Sequence, residues 1–224
     1  MVATFALIHG AGDVGWDWHL VESRLRAHGH DTAAPDLPCD DDSAGLAEYA
    51  DVVVGAVGAR EHVVVVGQSL GAFAAPLVCE RVAARLLVLV APMIPAPGEA
   101  PADYWSDTRY ADESRESYND EIALFYHDVP PPLAAEARAR GRAQSEARLS
   151  EPLPLEKWPD VPTRVLLCSD DHLLPESFVR RVARERLGLV PDVLDSGHTP
   201  ALSHPEELAI RLLAYATDEG VDES

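Results

Sequence analysis

Residues 67–71 read Gly-Gln-Ser-Leu-Gly. A serine at this spacing between glycines can act as a nucleophile on a sharp strand-to-helix turn, with its oxygen projecting clear of its own backbone. Such a turn crowds the residues two before and two after the serine, and Gly67 and Gly71 relieve that crowding. Four valines, 63–66, come before the motif and an apolar helical stretch comes after it. Strand, turn and helix thus follow in the order that gives the motif its meaning. The amino end of the helix faces the reacting centre and favours a developing anion there.

A serine hydroxyl is a weak nucleophile until a base takes its proton. In this architecture an acid and then a histidine follow the serine along the chain. The segment Cys-Ser-Asp-Asp-His-Leu-Leu-Pro, 168–175, follows one apolar strand pattern, and Asp-Ser-Gly-His-Thr-Pro, 195–200, follows the next. His198 is the expected base, because it stands after the last strand and before the final helix. His204 reads as a surface residue at the mouth of the helix opened by Pro205. The acid must hold the imidazole in one tautomer and stabilise the imidazolium. Asp170 and Asp171 point to opposite sides, so one of them reaches His198. Asp171 is the expectation, which leaves Asp170 as a solvated or helix-capping carboxylate.

Two backbone N–H groups are expected to bind an oxyanion. One belongs to Leu70, directly after the serine, and the other to Ala11 in the loop His-Gly-Ala-Gly, 9–12. Gly10 lets that backbone approach a substrate, and His9 reads as a turn-stabilising residue. Trp16 and Trp18 flank this loop. With Trp105, Phe125, Tyr126 and Trp158 they are candidates either for an apolar substrate pocket or for plain core. Trp16, Trp105, Phe125 and Tyr126 carry the substrate-binding expectation.

These residues need a scaffold. Strands are expected at 2–9, 30–34, 63–66, 86–90, 163–168 and 190–194, and helices at 17–28, about 43–59 with Ser43 as N-cap, 70–84, 176–187 and 205–216. The valine strand has no polar face and must be central in a sheet. Alternation of strand and helix implies right-handed crossovers and parallel strands. The alternation stops at 92–160, a proline-bearing segment with helical pieces near 113–127 and 132–148. The expected organisation is one α/β core, 1–91 and 161–224, with 92–160 inserted as a helical lid over the strands' carboxyl edge.

Composition excludes several classes. A 47% hydrophobic and 25% charged chain of 224 residues is an ordinary globular protein, not a disordered or fibrous one. The net charge of −20 repels nucleic acid and anionic lipid, so neither is an expected partner. Three widely spaced cysteines argue against a disulfide framework and fit a reducing cytoplasm, with Cys168 a buried small hydrophobe. The amino-terminal residues carry no basic leader and the longest apolar run, 86–93, is too short to span a bilayer, so the expectation is a soluble cytoplasmic protein. Asp40, Asp41 and Asp42 lack calcium-loop spacing and read as a solvated helix cap. The arginine-rich stretch 135–149 reads as an exposed helix.

The motifs at 9–12, 67–71, 170–175 and 196–208 resemble, in order, those of the α/β-hydrolase superfamily, over about residues 3–216. Segment 9–38 further resembles the small methylesterase and hydroxynitrile-lyase branch. The resemblance implies an α/β-hydrolase fold, a mostly parallel sheet of about six strands with helices on both faces and a small lid. The antiparallel amino-terminal strands of larger relatives are missing. It implies Ser69 as nucleophile, His198 as base, and Ala11 and Leu70 as oxyanion donors. It also supports Asp171, since the family acid usually stands four residues before a proline, here Pro175. Hydroxynitrile lyases of that branch carry lysine directly after the histidine; Thr199 stands here, which argues against cyanide release.

The expected activity is hydrolysis of small carboxylic esters through an acyl-enzyme, with no metal or organic cofactor, by a monomer or homodimer. The rivals are C–C hydrolysis, lactone opening or a cofactor-free lyase step on the same site. A non-catalytic ligand-binding protein is the rival from another class.

Overall fold

The computed structural model describes residues 2–113 and 120–221. Six strands form one sheet: β1 (Thr4–Ile8), β2 (Asp31–Ala33), β3 (Val63–Gln68), β4 (Ala84–Val90), β5 (Thr163–Cys168) and β6 (Asp192–Leu194). Their order is β2-β1-β3-β4-β5-β6, and every neighbouring pair is parallel. The sheet agrees with the six-stranded parallel expectation.

The strands alternate between two apolar layers, as pleating requires. Val63 and Val65 face one layer, packed with Tyr49, Val53, Phe73 and Phe178. Val64 and Val66 face the other, packed with Val21, Leu25, Leu208 and Leu212. The first layer is covered by α2 (Leu46–Val57), α3 (Gly71–Cys79) and α7 (Glu176–Leu187), and the second by α1 (His19–Ala27) and the last helix (Pro205–Asp218). Because α1 and α2 lie on opposite faces, the chain leaves β1 in one direction for β2 and returns past β1 to β3. That reversal splays the loops after β1 and β3 apart, and open α/β sheets bind ligands at such a switch point.

Between β4 and β5 the described residues hold α4 (Tyr104–Asp107), α5 (Glu121–Phe125) and α6 (Pro131–Arg140). Tyr126, Val129, Ala134 and Ala137 form a separate apolar cluster with Leu202, set on the loops of the core.

Several expected boundaries moved. Helix α2 starts at Leu46, not near Ser43. The Glu48 side chain accepts the Gly45 N–H at 2.8 Å, while Ser43 sits in a turn made by Asp41. The acidic run ties down a crossing segment instead of capping: Asp42 accepts from Ser145 Oγ at 2.6 Å. The helix after Ser69 stops at Cys79, and the last strand begins at Asp192. The helix expected over 132–148 ends at Arg140, because the Arg142 N–H turns to the Gly12 carbonyl at 2.7 Å and the chain crosses the β1 loop. Of the helix expected near 113–127, α5 is present, and 114–119 lie outside the described residues.

Candidate active site

Ser69 follows β3 with φ of 51°, a left-handed value that costs a non-glycine residue strain. The surrounding packing holds it there. A Cβ on Gly71 would lie 2.5 Å from the His9 carbonyl oxygen and 2.8 Å from that of Ile8, so any larger residue drives α3 off β1. Leu70 is the N-cap of α3, which places its backbone at the positive end of the helix dipole.

His198, after β6, is buried. Its Nε2 lies 3.0 Å from Ser69 Oγ, and its Nδ1 lies 2.7 Å from Asp171 Oδ2. The other Asp171 oxygen, Oδ1, accepts the N–H groups of Leu173 and Leu174 at 2.8 and 2.9 Å. The carboxylate is therefore fixed by its own loop before it meets the imidazole. Burial pulls the His198 pKa down, but the charge and hydrogen bond of Asp171, with a smaller contribution from the charge of Asp13, outweigh it and leave the pKa raised above histidine's ordinary value. Serine, histidine and carboxylate form one continuous chain of contacts, an arrangement compatible with a nucleophilic triad. Asp170 points outward to solvent and meets His127 and His172 instead.

Above Ser69 lies a cavity of about 770 Å³. Ala11, Leu70, Trp105, Phe125 and Tyr126 line it together with Ser69 and His198. Gly10 and Trp16 are not among its lining residues. Gly10 packs beneath the cavity, against Asp13, Gln68 and the Ser69 Cβ. The Trp16 ring is stacked on His19 at 4.2 Å with the Arg140 guanidinium on it at 4.5 Å, which explains its separation from the cavity. Trp18 is core, and Trp158 donates to Thr163 Oγ1 at 3.1 Å beside β5. His9 Nδ1–H donates to the Gly10 carbonyl and Nε2 accepts the Leu37 N–H, so this histidine shapes the β1 loop.

Three residues that frame the site had no clear sequence signal. Gln68 Nε2 donates to the His198 carbonyl at 3.1 Å and joins the serine turn to the histidine loop. Thr199 Oγ1 donates to the Phe125 carbonyl at 2.7 Å. Asp13 lines the cavity, and burial, then the charge of Asp17, push its carboxyl up to about 7. The one available hint for Asp13 was an acid placed two residues after Ala11. The arginine-rich stretch, expected to be wholly exposed helix, also supplies Arg138 and Arg142 to the cavity wall.

The sequence profile described as "Alpha/beta hydrolase family" matches residues 5–211. The chain belongs to the alpha/beta hydrolase family. Among its relatives in this family, the probable esterase PIR7A of Oryza sativa subsp. indica is 36% identical over 107 residues, covering 42% of this chain and 41% of that protein. The match to this relative thus spans about two fifths of its length. Methyl jasmonate esterase 1 of Vitis vinifera is 25% identical over 247 residues, covering 93% of this chain and 94% of that protein. The crystal structure of polyneuridine aldehyde esterase superposes with a TM-score of 0.79 at 19% identity, covering 96% of this chain and 100% of that one. The fold is shared with that solved structure, and the esterase-named relatives agree with the methylesterase-like resemblance.

Proposed function

We propose that this protein is a serine hydrolase of small carboxylic esters. One observation carries the reading: Ser69, His198 and Asp171 are joined at 3.0 and 2.7 Å on the floor of a cavity large enough for a small ester. His198 takes the Ser69 proton as Oγ attacks the ester carbonyl. Asp171 keeps the His198 proton on Nδ1 and stabilises the imidazolium. The Leu70 and Ala11 N–H groups receive the developing oxyanion, one of them from the amino end of α3. The imidazolium then protonates the leaving alcohol. Water, activated by the same His198, releases the acid and restores Ser69.

The segment between β4 and β5 acts as a lid in this reading. Trp105 and Phe125 supply an apolar wall, and Phe125 stands 5.4 Å from the His198 ring. The esterase names of the relatives support an ester substrate, and methyl esters belong in the panel of candidates. The protein needs no cofactor for these steps, and we place it in the cytoplasm. No described helix is long and apolar enough to cross a membrane.

The test is turnover of methyl and p-nitrophenyl esters of increasing acyl length by wild type and Ser69→Ala. Saturable turnover by wild type and none by the folded variant is expected. Equal turnover by both overturns the reading.

A further inference from the structure

The outward-facing neighbour of the catalytic-site acid has its own partners. Asp170, His172 and His127 place their donor atoms within 4.8 Å of one another. Asp170 and His172 come from the loop after β5, and His127 comes from the turn between α5 and α6. The two imidazoles stack with centroids 3.8 Å apart and planes 15° apart.

Backbone carbonyls orient both rings. His127 Nε2–H donates to the Asp170 carbonyl at 3.0 Å, and His172 Nδ1–H donates to the Ala123 carbonyl at 2.6 Å. Each ring thereby turns its other nitrogen toward the Asp170 carboxylate, His127 Nδ1 at 3.8 Å from Oδ2 and His172 Nε2 at 3.9 Å from Oδ1. A second hydrogen bond that fixes tautomer and ring direction is a regular companion of metal-ligating histidine.

We propose that His127, His172 and Asp170 form a binding site for a borderline divalent transition metal of the zinc class. Two imidazoles and one carboxylate suit zinc, nickel, cobalt or copper over magnesium or calcium, which take oxygen donors. Tetrahedral zinc keeps its ligands about 3.3 Å apart, given bonds near 2.0 Å, so the exposed Asp170 side chain must close inward and one imidazole must tilt out of the parallel stack for both nitrogens to aim at one ion. Water completes the coordination.

The position gives the site a consequence. His127 lies against the backbone that precedes His198: a Cβ on Gly197 would be 2.7 Å from His127 Nε2 and 2.6 Å from Asp128 Oδ1. Asp171 lies between the two ligands of the other loop. A bound metal would therefore staple the 120–128 segment to the loops that carry both Asp171 and His198. The site stands whether or not the ester reading does.

Isothermal titration of zinc chloride into chelator-stripped full-length protein tests it. Wild type is expected to take up one equivalent and to melt at higher temperature with zinc present. His127→Gln and His172→Gln each are expected to weaken binding by about tenfold or more, while His204→Gln leaves it unchanged. Asp170→Asn serves as an independent ligand variant should either histidine change impair folding. Absence of stoichiometric uptake by wild type, or uptake unaltered in all three ligand variants, overturns the proposal.

Discussion

The Thr199 hydroxyl donates to the carbonyl oxygen of Phe125 at 2.7 Å, across 74 residues of chain. One side of this bond is the residue after His198, and the other is the wall of the cavity. The bond therefore couples the placement of the imidazole to the placement of the segment above it.

Removing that bond has a measurable cost. A hydrogen bond of this kind contributes about 1 kcal/mol. Thr199→Ala is expected to lower kcat/KM severalfold, and Thr199→Ser to restore most of it. Steady-state kinetics on a p-nitrophenyl ester would show this. Wild-type kinetics in the alanine variant would remove Thr199 from the positioning role.

Asp171 and Asp170 are neighbours with opposite expectations. Asp171→Asn removes the carboxylate that holds Nδ1–H of His198 and should lower kcat by about three to four orders of magnitude. Asp170→Asn, on an outward side chain, should change kcat less than threefold in chelator-containing buffer. The two rate constants settle the matter, and the reverse order would exchange the roles.

In the proposed reaction the raised His198 pKa sets the acid limb of the pH–rate profile. The base works when neutral, so kcat/KM should rise with pH through a midpoint above 6.5, the ordinary histidine value. In Asp171→Asn the larger supporting charge is gone while burial and the smaller effect of Asp13 remain, and the limb should move to lower pH. A pH–rate profile of both proteins tests this. An unshifted limb would mean that another group titrates.

Asp13 makes a prediction about stability. Its carboxyl is pushed from 3.8 to about 7, first by burial and then by the charge of Asp17. Well below pH 3.8 the folded and unfolded chains both hold this proton, and Asp13 costs nothing. As pH rises from 3.8 to about 7 the unfolded chain has released it while the folded chain retains it, so the Asp13 contribution to stability falls across that window and then levels off. Asp13→Asn should be more stable than wild type at pH 8, by on the order of 1–2 kcal/mol after allowance for the side chain's partial exposure, and equal to it at about pH 3. Urea melts at the two pH values read this out. Equal stability at pH 8 would contradict it.

How much of this could be read in the chain depends on how local each signal is. The sheet was legible because Val63, Val64, Val65 and Val66 form a short β-branched run closed by Gly67, the mark of a strand buried on both faces. Ser69 was legible because its glycines are demanded by the turn itself. Helix ends were less legible: 132–148 keeps a helical composition, yet a contact from Arg142 to distant Gly12 ends the helix at Arg140. Trp16 misled for the same reason, since its partners His19 and Arg140 meet it only after folding. Residues such as Gln68, Thr199 and His127 act through partners far along the chain, and no spacing rule reports those pairings.

The proposed reaction requires an activated Ser69. The most direct measurement is intact mass after reaction with a fluorophosphonate probe, on wild type and Ser69→Ala. A single adduct on wild type and none on the variant is predicted. An adduct on both, or none on folded wild type, would mean that Ser69 is not the activated nucleophile.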